Sequence, residues 1–202
     1  MLDAAMRRVI DPPLNGIGRK LAARGVTANA VTLAGLGFGL LAAALIALGA
    51  PAAALLPLAL SRLADGLDGA IARSVGKTDF GGFLDITCDF LFYAAVPLGF
   101  VLLDPTANAL PGATLLASFY VNGASFLGFA ILAAKRGIET RQQGEKSLYY
   151  SAGLLEGTET ILFFVAICLF PALFPLFSWG FAALCLVTAT ARVLLAWRLF
   201  RG

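Results

Sequence analysis

Histidine is absent from this 202-residue chain, and charge is scarce, with Asp, Glu, Lys and Arg together at 13%. The first absence excludes Ser-His-Asp triads, His-ligated zinc and histidine proton relays. The second excludes an ordinary soluble domain, in which roughly a quarter of residues are charged. Hydrophobic residues make up 59%, and a water-soluble fold of this length has too little interior to hide them. Cysteine is sparse as well. Cys88, Cys168 and Cys185 all sit in apolar runs, so they read as packing residues rather than disulfides or metal ligands.

Long uncharged runs are what the chain does have. No charge occurs over 25–61, 90–103, 105–134 or 160–191. These lengths suit helices and not the short alternating strands of a β-barrel. The pattern predicts an all-α integral membrane protein, a single domain over 1–202, with six transmembrane helices near 29–48, 53–73, 84–103, 112–134, 153–171 and 177–198. Pro and Gly mark the breaks at 49–51, 104–112 and 171–175. Residues 1–24 lack the apolar core of a signal peptide. Leu2, Ala5, Met6, Val9 and Ile10 are spaced for an apolar helix face beside Arg7 and Arg8. That predicts a short juxtamembrane helix lying on the membrane surface, interrupted at Pro12-Pro13.

The basic residues are segregated. Arg7, Arg8, Arg19, Lys20 and Arg24 precede the first span, and Arg73 and Lys77 follow the second. Lys135, Arg136, Arg141 and Lys146 follow the fourth, and Arg198 and Arg201 close the chain. The other three connections carry none. By the positive-inside rule both termini and the two basic loops are cytoplasmic.

Eight ionisable residues fall inside the expected spans: Arg62, Asp65, Asp68, Asp85, Asp89, Glu156, Glu159 and Arg192. Each costs insertion energy and demands a reason. With the topology above, all lie in the cytoplasmic halves, as a polar cavity open to that side would require. Asp65 and Asp68 are three apart and Asp85 and Asp89 four apart, so each pair shares a helix face. A short loop joins the second and third spans, which makes them antiparallel neighbours and lets four carboxylates converge. Such a set repels itself unless a cation joins it. Oxygen-only ligation suits Mg²⁺, Mn²⁺ or Ca²⁺, and four carboxylates can hold two such ions, the arrangement of phosphoryl-transfer sites. Gly66 and Gly69 beside Asp68 would let a ligand approach the backbone, and Arg73 can reach an anion on that face.

The run Asp65-Gly-Leu-Asp68-Gly69-Ala-Ile-Ala72-Arg73, followed by Gly81, Asp85 and Asp89, resembles the signature of the CDP-alcohol phosphatidyltransferase family. All eight defining positions match, and the spacer from Arg73 to Gly81 holds seven residues where the common form has eight. The stretch 27–32 is similar to the family's segment opening the first span, with Ala28 in place of the usual Pro. The resemblance implies a bacterial inner-membrane enzyme with a cytoplasmic active site. It would transfer a phosphatidyl group from CDP-diacylglycerol or a related CDP-lipid to a small alcohol and release CMP. Asp65, Asp68, Asp85 and Asp89 would hold Mg²⁺ or Mn²⁺, two ions in all. Asp89 would also act as general base, and Asn29, Asp68, Gly69, Ala72 and Arg73 would contact CDP.

The acceptor is less legible. Lys135, Arg136, Arg141, Lys146 and Arg192 are candidates for an acceptor phosphate, with loop 135–150 as a lid; loop charges that only enforce topology are the plain alternative. Glu156 and Glu159 would suit an amine or polyol, or pair with Arg62 or Arg192. Gly35, Gly37 and Gly39 read as helix-packing positions, and Tyr149, Tyr150, Trp179 and Trp197 as interfacial aromatics. Membrane lipids and a second copy in a homodimer are the further partners expected; nucleic acid is not. A transporter built on the same carboxylates would need charge reaching the opposite side, and the outer halves have none. An intramembrane aspartyl protease would need paired-Asp motifs that are missing. A non-catalytic relative has no reason to keep four costly aspartates.

Overall fold

The computed structural model describes residues 3–137, 155 and 157–201. The described residues are helical throughout, apart from short connections. In chain order the helices are α1 (Asp3–Ala23), α2 (Ala28–Ala47), α3 (Pro51–Val75), α4 (Asp79–Leu103), α5 (Pro105–Lys135), α6 (Gly157–Leu169) and α7 (Phe174–Phe200), with a 3₁₀ turn at Pro171–Leu173. Four stretches are long and apolar enough to cross a membrane: α2, α4, α5 and Pro171–Phe200. α3 runs for 25 residues but carries charge through its second half, and α6 is a 13-residue apolar helix. The outward faces carry leucines such as Leu33, Leu41, Leu98, Leu102 and Leu176, a surface for lipid and not for water.

Local chemistry explains the helix ends. The Thr27 hydroxyl accepts from the Ala30 amide at 3.3 Å, so α2 starts on its cap although Ala28 lacks the helix-starting φ restriction of Pro. Thr78 caps α4 in the same way, accepting from Gly81 N at 3.0 Å. This starts α4 at Asp79, five residues before the expected span. α5 also begins early. Asp104 accepts from Ala107 N at 3.1 Å and Pro105 occupies the first helical position, so the segment expected as a loop up to Gly112 is helix. Asn108, buried there, donates to the Phe100 carbonyl at 2.8 Å and ties α5 to α4.

α1 does not break at Pro12-Pro13; it is one helix from Asp3 to Ala23. Both prolines are exposed, so their missing donors fall on the outer side, while the inner side is fixed by packing on α3. Leu14 is buried there, and a methyl group built at Gly66 would come within 2.6 Å of its Cδ1. One built at Gly18 would meet Ala70 Cβ at 2.8 Å. The side chains of Ala5, Met6, Arg7, Arg8 and Val9, and all of Leu2, lie outside the described residues.

The core is aromatic. Phe92, Phe100, Phe164 and Phe174 are fully buried, with Phe100 stacked on Phe174 at 4.8 Å and Phe163 on Phe181 at 4.3 Å between ring centres. Cys88, Cys168 and Cys185 are buried and free. Gly35 and Gly39 are close-packing positions as expected: methyl groups there would meet Ala64 Cβ at 3.0 Å and Phe92 Cδ2 at 2.5 Å. Gly37 is not; it faces outward with open space around it.

Candidate active site

Close approach of α2 to α3 at Gly35, and of α2 to α4 at Gly39, brings three helix segments around one cleft. The cleft is narrow and open at its mouth. Thr32, Gly35 and Leu36 line it from α2; Ser61, Arg62, Asp65 and Asp68 from α3; Asp85, Cys88 and Asp89 from α4. α3 and α4 are not the packed neighbours that their short connection suggests: each packs on α2, and α2 between them brings both aspartate pairs to one cleft.

The four carboxylates are not equivalent. Oxygens of Asp65, Asp85 and Asp89 all lie within 4.8 Å of one another, each side chain half-buried. Asp68 is 5% exposed and turns to α2, where the Thr32 hydroxyl donates to its Oδ2 at 2.6 Å. Arg62 enters the cluster from α3. Its Nη1 donates to Asp89 Oδ1 at 3.0 Å and stands 3.7 Å from Asp65 Oδ2. Its Nη2 donates to Ser61 Oγ at 3.2 Å, and the guanidinium lies 4.0 Å over the Phe92 ring. One guanidinium cannot balance four carboxylates. Oxygen donors converging from two helices, with negative charge in excess and no nitrogen or sulfur donor in the trio, fit a hard divalent cation.

The residues expected around CDP lie further along α3 and beside it. Asn29 faces the start of α4, its Oδ1 3.3 Å from a methyl group built at Gly81. The Arg73 guanidinium covers Gly69, where a built methyl would lie 3.2 Å from its Nη1. Its Nε and Nη2 donate to Asn15 Oδ1 of α1 at 3.2 and 3.0 Å, and Nη2 stands 4.0 Å from Asp11. Ala72 is half-buried one position before. The close approach permitted by Gly66 is to Leu14 of α1, not to open space.

The acceptor candidates are scattered. Lys135 and Arg136 are exposed at the end of α5, with Arg136 6.0 Å over the Phe200 ring. Lys146, Glu156, Arg141, Tyr149 and Tyr150 lie outside the described residues. Glu159 is half-buried in the first turn of α6. Arg192 is buried on α7 and turned to α5: its Nη1 lies 3.0 Å from the Asn122 carbonyl, 2.9 Å from Asn122 Oδ1 and 2.7 Å from Ser125 Oγ. It does not line the carboxylate cleft.

Two members of the cleft escaped sequence reasoning in their roles. Arg62 reads from sequence as a charge inside a span and a partner for Glu156 or Glu159, whereas it pairs with Asp89 and Asp65; its position three before Asp65 already places it on the same face. Thr32 follows Asn29 by three on α2, a register that puts both on the side facing α3 and α4. Asn15 had no signal, because only packing sets α1 against α3.

A sequence profile of CDP-alcohol phosphatidyltransferase matches residues 25–197. The chain belongs to this family. It is 52% identical over 193 residues to "Inner membrane protein YnjF" of Escherichia coli K12, covering 96% of this chain and 94% of that one. It is 33% identical over 168 residues to "Archaetidylinositol phosphate synthase" of Pyrococcus horikoshii, covering 80% and 87%. Among solved structures, the phosphatidylinositol phosphate synthase PgsA1 of Mycobacterium tuberculosis in complex with manganese and citrate superposes with a TM-score of 0.65 at 25% identity, over 91% of this chain and 88% of that one. The same synthase with CDP-DAG bound gives 0.65 at 24% identity, over 91% and 93%, a likeness of fold. This CDP-alcohol phosphatidyltransferase is thus an enzyme, a membrane-bound transferase of phospholipid biosynthesis.

Proposed function

We propose that the enzyme transfers a phosphatidyl group from a CDP-linked lipid, such as CDP-diacylglycerol, to a small alcohol and releases CMP, with Mg²⁺ or Mn²⁺ as cofactor. The observation that carries this is the convergence of Asp65, Asp85 and Asp89, with Asp68 alongside, at the family's motif positions. Asp65, Asp68, Asp85 and Asp89 would hold two ions. When bound, these would neutralise the diphosphate and the departing CMP. Asn29, Asp68, Gly69, Ala72 and Arg73 hold the CDP moiety, Arg73 steadied by Asn15. Asp89 takes the proton of the acceptor hydroxyl. The acceptor oxygen forms a bond to the β-phosphorus as the bond from that phosphorus to the CMP oxygen breaks. Without histidine, a carboxylate is the base available in the cleft.

Six spans, with both termini and the cleft on the cytoplasmic side of the inner membrane, follow from the segregation of Lys and Arg. Arg62, Asp65 and Asp68 of α3 turn into the cleft beside α2, and Arg73 is held by α1, which makes the crossing of α3 compatible with lipid. Lys135, Arg136, Lys146, Glu156, Glu159 and Arg192 remain the acceptor candidates, and a homodimer in the lipid bilayer is part of the same reading. The names of the inositol-phosphate relatives make a phosphorylated polyol the first acceptor to try.

The experiment is CMP release from CDP-diacylglycerol by purified protein in detergent with Mg²⁺ or Mn²⁺. The acceptors are inositol phosphate, glycerol 3-phosphate, inositol, glycerol, serine, ethanolamine and choline. Metal-dependent release with one acceptor names the product lipid. Absence of both CMP release and CDP binding refutes the assignment.

A further inference from the structure

We propose that Arg62 is a resident cation of the carboxylate cleft that makes its two metal positions unequal, so that one divalent ion binds readily and the second only by displacing Arg62 from Asp89. The inference deepens the metal-dependent reading above and rests on it.

The cleft is already asymmetric. Arg62 Nη1 stands between carboxylates of opposite helices, 3.0 Å from Asp89 Oδ1 and 3.7 Å from Asp65 Oδ2. It therefore occupies space between α3 and α4 that an ion bridging those residues would need. The guanidinium is not a mobile surface group. The Phe92 face at 4.0 Å and Ser61 Oγ at 3.2 Å hold it, and its side chain is 18% exposed. Asp85 has neither a hydrogen bond nor an ion pair among the described residues, although its carboxylate belongs to the same trio. The cleft thus has an open side at Asp85 and a side at Asp89 that Arg62 already neutralises. An ion on the open side gains carboxylate charge and breaks nothing. An ion that takes Asp89 Oδ1 must break a charge-assisted hydrogen bond and sit beside a fixed positive charge, both of which oppose it. Arg62 acts on chemistry through Asp89 and is a positioning residue.

The test is Mn²⁺ binding to the purified full-length protein in detergent, read by electron paramagnetic resonance of free Mn²⁺, without substrate or turnover. The wild type should show two classes of site at least ten-fold apart, about 1.4 kcal/mol. Arg62→Gln should tighten the weak class ten-fold or more and narrow the gap. Arg62→Lys keeps the charge and should keep the gap. Equal classes in the wild type overturn the proposal, whether or not Arg62→Gln folds. So does a weak class that Arg62→Gln leaves unmoved. Absence of Mn²⁺ binding in wild type and both variants refutes the metal reading itself and this inference with it.

Discussion

Replacing Thr32 with valine removes one hydroxyl from the cleft and almost no volume. Its target is the 2.6 Å hydrogen bond to Asp68 Oδ2, made where Asp68 is only 5% exposed. A hydrogen bond to a charged group is worth about 1.5–3 kcal/mol, and a buried acceptor left unmatched loses compensation for its desolvation. Taking about 2 kcal/mol, a helical domain of this size would lose roughly 4–8 °C of melting temperature. The assay is thermal unfolding of the purified protein in detergent with EDTA, followed by tryptophan fluorescence. Thr32→Ser retains the donor and should melt near the wild type. Thr87→Val serves as control, because the Thr87 hydroxyl bonds its own helix, to the Phe83 carbonyl at 2.8 Å, on an exposed face. Saturating Mn²⁺ should narrow the difference between Thr32→Val and the wild type, since a cation supplies charge that the lost donor supplied. Equal melting of Thr32→Val and Thr32→Ser in EDTA would refute the account of Asp68.

Three further outcomes are expected. Asp89→Asn should abolish CMP release, by at least a hundred-fold on the scale of general-base catalysis, while the protein elutes as a single species; retained turnover would remove Asp89 from the role of base. Asn15→Ala should free Arg73 from α1 and raise the KM for the CDP-lipid several-fold with kcat little changed, and an unchanged KM would show that α1 does not position Arg73. Gly18→Leu should drive a side chain into Ala70 of α3, where a single methyl already comes within 2.8 Å, and destabilise the α1–α3 contact by about 1–3 kcal/mol. Limited proteolysis within α1 reads that loss, and unaltered cleavage would contradict the packing.

Charge and length were enough to read a helical membrane chain from the sequence, and the motif spacing was enough to read its reaction class. Uncharged runs of span length admit few other folds, and i, i+3 and i, i+4 spacing alone puts each aspartate pair on one face. Helix starts were less legible. Short-range capping by Thr78 and Asp104 moved the beginnings of α4 and α5 outward, because a cap overrides the hydropathy by which spans are drawn. Pro12-Pro13 misled for the opposite reason: packing of Leu14 and Gly18 on α3 holds α1 through a break that local propensity predicts.

What tertiary structure alone decided is how the charges divide among themselves. In sequence Asp65, Asp68, Asp85 and Asp89 are four like residues, and Arg62 and Arg192 two like cations inside spans. In the fold Asp68 belongs to Thr32, the other three aspartates form a trio with Arg62, and Arg192 is taken up by Asn122 and Ser125. Spacing along a helix sets the face a residue occupies. Which neighbour that face meets depends on where glycines let helices approach, and that is settled only when α2, α3 and α4 pack together.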